Sequence, residues 1–108
     1  MYDAASVRSE LEPHRPLYEA KLREGQPERW KADQRTTDLF CLGRWLNDVL
    51  TAMPDITEAR RIQMLWYFNR TVRAEDDPFE VAAVVMNTAL TGRELEPHYQ
   101  TYSRRPRT

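Results

Sequence analysis

The sequence holds little cysteine, little glycine, almost no lysine and no long apolar run. Cys41 is the single cysteine, so an internal disulfide is impossible and a disulfide-stapled scaffold is excluded. Three glycines, Gly25, Gly43 and Gly92, lie too far apart to build a loop that cradles phosphates. The longest strongly apolar run, Val81 to Met86, is far too short to span a bilayer, and Met1 to Ser6 lacks the basic-then-apolar pattern of an export signal. A cytoplasmic setting is therefore expected. Lysine occurs only at Lys21 and Lys31 among 16 cationic residues, so the positive charge is carried by arginine, the better partner for carboxylates, phosphates and aromatic faces. With 17 acidic residues the formal net charge is −1, which argues against attraction of the whole molecule to nucleic acid or a membrane.

What is present reads as one all-α domain. The 108 residues, 41% of them hydrophobic and 31% charged, suffice for a single modest core under a polar surface. Ser6 is placed to cap a first short helix interrupted at Pro13 and Pro16, and Pro16 opens a second that stops at Gly25 with Leu17, Tyr18, Lys21 and Leu22 along one edge. Trp30 is expected to anchor this arm on the body. From Thr36 or Thr37, Leu39, Leu42, Leu46, Val49, Leu50 and Met53 recur at helical spacing until Pro54. Gly43 falls inside that helix, where it costs about 1 kcal/mol relative to alanine, so a close helix crossing over it is expected.

A further helix begins at Asp55 or Thr57, with Ala59, Ile62, Leu65, Trp66, Asn69 and Val72 as its inward stripe. The last has the clearest punctuation: Asp77 as cap, Pro78 at the first position, Glu80 completing a capping-box-like pair, and Gly92 as stop. Phe79, Val81 to Met86, Ala89 and Leu90 leave it almost no polar face, so it should lie at the centre, enclosed by neighbours. The expected architecture is a compact bundle of three main helices, near 37–53, 57–74 and 77–91, with one or two short N-terminal helices. Residues 1–35 then form an N-terminal helical arm packed on the body, 36–92 the helical core, and 93–108 a flexible, disordered basic tail.

Candidate sites are few. Glu10-Leu11-Glu12-Pro13-His14 recurs as Glu94-Leu95-Glu96-Pro97-His98. Two such arms brought together would offer His14, His98, Glu12 and Glu96 to zinc or a similar ion, although two helix ends followed by proline explain the repeat more simply. Met64-Leu65-Trp66-Tyr67-Phe68 puts five large apolar or aromatic side chains around more than one helical turn. With Leu65 and Trp66 assigned inward, Met64, Tyr67 or Phe68 must either contact the N-terminal arm or form part of an exposed patch. Core packing is the commoner outcome for any single one of them, but the whole run is hard to hide in so small a domain, and with Arg60 they are the partner-binding candidates. Arg61 and Arg70 interleaved with aromatics, together with Arg104, Arg105 and Arg107 of the tail, form a weaker candidate for phosphate and base contact, since a solvated arginine face paired with acids is commoner. Cys41 sits among apolar neighbours and reads as a structural thiol.

No catalytic constellation and no cofactor motif emerges. The expectation is a small non-enzymatic protein–protein interaction module, an adaptor, inhibitor or assembly subunit that binds another protein or itself as a homo-oligomer. The alternatives are a nucleic-acid-associated accessory protein and a metal-binding protein using the Glu-Pro-His arms.

Overall fold

The computed structural model describes residues 1–30, 33–72 and 76–92, and the regular structure among them is helical, with no strand. In order come α1 (Ala4–Leu11), a 3₁₀ turn (Glu12–His14), α2 (Arg15–Gly25), α3 (Pro27–Trp30), α4 (Gln34–Ala52), α5 (Glu58–Thr71) and α6 (Pro78–Thr91). The all-α class and the three main helices are as the sequence predicts. The N-terminal part is richer, with α3 as a third short helix. Tail residues 93–108, and with them Glu94 to His98, lie outside the described residues, as do Lys31 and Arg73.

Short polar side chains set the helix starts. Asp3, not Ser6, caps α1: Ser6 N–H donates to Asp3 Oδ1 at 2.8 Å while Asp3 N–H donates to Ser6 Oγ at 2.9 Å, a reciprocal box with Ser6 at its third position. Asp33 caps α4 by accepting from Thr36 N–H at 2.6 Å, so this helix begins earlier than Thr36. These backbone hydrogen bonds hold the Asp3 and Asp33 carboxyls below their ordinary range. Thr57 accepts from Arg60 N–H at 3.1 Å to open α5. Asp77 accepts from Phe79 N–H at 3.0 Å ahead of Pro78, and Gly92, at φ 70° in the left-handed region, closes α6. The Glu80 side chain is exposed and completes no capping box among the described residues.

α4 is the hub. It packs against α1, α2, α3, α5 and α6, whereas α6 touches α1, α4 and α5. Its 19 residues bury Thr37, Cys41, Leu42, Trp45, Leu46 and Leu50 on adjoining faces. α6 buries Phe79, Ala82, Ala83, Val85, Met86 and Ala89 but leaves Val84 50% and Leu90 55% exposed, so the expectation of a fully enclosed central helix is corrected to enclosure on three sides. One apolar cluster joins Cys41, Leu42, Trp45, Leu46 and Leu50 of α4 and Phe79, Ala82, Ala83, Val85, Met86 and Ala89 of α6 to Val7, Leu11 and Tyr18 from the arm and Met64, Tyr67 and Phe68 from α5. The arm thus builds part of the core, and apolar burial of this kind contributes about 25 cal/mol per Å².

Polar contacts fix how the arm sits. The Asn87 side chain of α6 pairs with the backbone of Tyr2, accepting from its N–H at 2.7 Å and donating to its carbonyl at 2.9 Å. Arg15 of α2, whose side chain is mostly buried, reaches Asp38 of α4 at 3.0 Å and Glu12 and Glu19 at 3.3 Å each. Tyr18 donates to Asp48 at 2.5 Å, and burial followed by this hydrogen bond pushes its hydroxyl up to about 12. Leu17 and Lys21, expected on the inward edge of α2, are exposed, leaving Tyr18 and Leu22 to make the contact. No helix among the described residues is long and apolar enough to cross a membrane.

Candidate functional site

The orientation of α5 decides which apolar surface remains open. Met64 is fully buried, Phe68 1% exposed and Tyr67 6% exposed. These three residues are core, not the exposed patch the sequence suggests, and burial pushes the Tyr67 hydroxyl above its ordinary value. The expected inward stripe is only partly inward: Ala59 and Asn69 are exposed, Ile62 is 53% exposed, Trp66 and Val72 are half-buried, and Leu65 is half-buried against the edge of the core.

Burial of Met64, Tyr67 and Phe68 in the core fixes this facing, and it comes with a polar contact to α4 from Arg61. Its Nη1 donates to Asn47 Oδ1 of α4 at 2.6 Å while Nη2 stands 3.7 Å from Glu58. The aliphatic stem covers apolar surface while the guanidinium finds a polar partner. Arg61, Met64 and Phe68 therefore share one face at spacings of three and four, with Tyr67 beside them. Five consecutive large residues offer two overlapping apolar stripes, and periodicity alone does not choose between them. Packing against the other helices does, and the stripe it buries is the one that lets Arg61 reach Asn47 of α4.

With α5 so turned, a groove of about 430 Å³ opens where α3, α4 and α5 meet. Leu39 and Gly43 of α4, Leu65 of α5 and Val72 just beyond its end form its apolar part, and Phe40, Arg44, Arg29 and Asn69 complete the lining. Its size is that of a site for a few large side chains. Sequence periodicity does not reveal it because Leu65 and Val72 fall on the stripe that reads as inward; the one sequence signal at this place is Gly43. Among the described residues no helix crosses Gly43: a Cβ built there meets none of their atoms within 4 Å.

The remaining candidates are scattered. Arg60 is half-buried and lines a separate depression of about 390 Å³ between the α4–α5 loop and the end of α6, with Met53, Ile56 and Leu90. Arg70 lies over the Trp66 ring at 4.7 Å, and Arg61 faces α4, so the two arginines do not present a common phosphate-binding row. Arg104, Arg105 and Arg107 lie outside the described residues. His14 stacks on Tyr18 with centroids 6.0 Å apart, and Glu12 pairs with Arg15. Among the described residues no group of three or more potential ligands is placed to hold a metal ion; His98 and Glu96 lie outside them. Cys41 is a buried free thiol pushed up to about 11 by burial, which disfavours the reactive thiolate. No family model, curated protein or solved structure matches the chain.

Proposed function

We propose that the protein is a small non-enzymatic interaction module whose partner-binding surface is the groove between α3, α4 and α5. The observation that carries this reading is Gly43. A glycine inside a long helix lowers its stability, and here no segment among the described residues packs against the bare backbone. A surface that gives up stability and receives no internal contact in return is suited to close approach by another molecule. Leu65 and Val72 beside it supply apolar area, and Phe40 and Arg44 are residue types that anchor interfaces. A reducing, cytoplasm-like compartment suits the free thiol of Cys41.

The test compares the wild-type chain with Leu65→Lys and Ile62→Lys as bait in native lysate of the source. Leu65 lines the groove, whereas Ile62 is exposed outside it. A species retained by wild type and Ile62→Lys but lost with Leu65→Lys, at unchanged helical circular dichroism, is expected. Retention indifferent to Leu65→Lys, or no specific species at all, contradicts the reading.

A further inference from the structure

We infer that the occupant of the groove is an amphipathic helix of another protein, with an apolar stripe that seats on Gly43 and carboxylates that reach Arg29 and Arg44. This rests on the interaction reading above and adds the chemistry of the partner.

Charge carries the inference first. The chain has more acidic than basic residues, yet among the described residues the groove is lined by two arginines and no acid. Of the arginines outside the groove, Arg15 meets Glu12, Glu19 and Asp38, Arg61 meets Glu58 and Arg8 meets Asp77, while Arg23 lies over the Trp30 ring and Arg35 donates to the Asp76 carbonyl. Arg29 instead donates to the neutral side-chain carbonyl of Gln26 at 2.9 Å, and Arg44 rests 5.8 Å from the centre of the Phe40 ring. Neither has a carboxylate within ion-pair distance among the described residues. Both are exposed and come from different helices, so one ligand lying across the groove meets both. A guanidinium at the edge of an apolar groove selects carboxylates on the flank of an incoming segment and repels cationic ones.

Shape carries it second. The groove lies where two long helices pack side by side, which is the setting of helix-in-groove recognition through residues spaced three and four apart. Gly43 leaves the backbone of α4 open beneath it, so a partner side chain descends further there than any other residue would allow.

The test uses a displayed library of helical peptides of about four turns. Stripe positions vary among Leu, Ile, Phe and Ala, and flanking positions among Glu, Gln and Lys. Selection is on the full chain, and the best peptide is then measured against variants. The inference expects Glu enriched over Lys on the flanks and roughly tenfold weaker binding to the Arg29→Glu/Arg44→Glu protein. Binding to that variant returns when the peptide's flanking Glu are exchanged for Lys, a recovery that a merely structural role of the arginines does not give. Gly43→Ala weakens binding without loss of fold.

Binders lost on Gly43→Leu but indifferent to flank charge overturn the acidic partner and leave the interaction surface standing. Binders indifferent to both Gly43 and the arginines, or no binders at all, overturn both. Self-association abolished by Gly43→Leu replaces the foreign helix with a second copy of this chain.

Discussion

Gly43→Ala is the substitution in which the structure makes its least expected statement. Glycine inside a helix is worth roughly 1 kcal/mol less than alanine, because the unfolded glycine has more backbone freedom to lose. Where a neighbour crosses closely, the added methyl clashes and the change is destabilising. Here the new Cβ has no atom of the described residues within 4 Å, Gly43 is well inside the 19 residues of α4, and its backbone is helical, so no steric cost from them offsets the gain. The expected result is stabilisation by about 1 kcal/mol, a rise of roughly 4–8 °C in Tm for a domain of this size. Differential scanning calorimetry, with urea melts as a second measure at unchanged m-value, reads it. A fall in Tm would mean that some segment does pack over Gly43, and the groove as described would not exist. A stabilised variant that still folds supplies the protein in which any loss of partner binding is attributable to the groove alone.

Three further outcomes follow from the packing. Arg15→Ala removes the cation shared by Asp38 and Glu19, both partly buried, and should cost roughly 2 kcal/mol, read as a lower urea midpoint; a change within 0.5 kcal/mol, the range of ordinary surface substitutions, contradicts the role given to this network. Tyr18 titrates near 10 when unfolded and near 12 when folded, so its protonated form is favoured by folding; the stability it contributes is complete below pH 10 and lost as pH rises through 12. Cys41, pushed from 9 up to about 11, acts in the same direction from pH 9 upward, so Tyr18→Phe should reduce the alkaline fall in stability without abolishing it, and an unchanged pH profile would count against the Tyr18–Asp48 bond. In native protein at pH 8 the Cys41 thiol should react with an aromatic disulfide reagent only as fast as the chain opens, and rapid labelling would show that it is not buried.

Local signals in the sequence specified the helices well and the facing of one of them badly. Asp77, Pro78 and Gly92 mark α6 because capping, proline geometry and left-handed termination each act within a few residues. Thr57 and Pro54 bracket α5 and α4 for the same reason. At α1 the sequence points to Ser6, yet Asp3 caps and Ser6 returns the bond, since a carboxylate three residues earlier is the stronger acceptor for the free backbone donors. The facing of α5 is a tertiary matter. Its run from Met64 to Phe68 is apolar on too many sides, and the choice between stripes rests on other helices: the core that takes in Met64, Tyr67 and Phe68, and Asn47, fourteen positions earlier, which receives Arg61. The prominence of α6 over α4 came from composition: α6 is the more apolar helix, but α4 is the one long enough to meet every other. The groove was unreadable for the same reason as the facing of α5, except for the single clue of a glycine with no apparent purpose.

The most direct test of the groove as the interaction surface is photo-crosslinking in the source cells. A benzophenone amino acid at Asn69, exposed on the groove lining, is compared with one at Ser9, exposed on α1. The account predicts a discrete protein adduct from position 69 that disappears when Leu65→Lys is added, and none from position 9. Adducts of equal yield from both positions, or none from position 69, would contradict it.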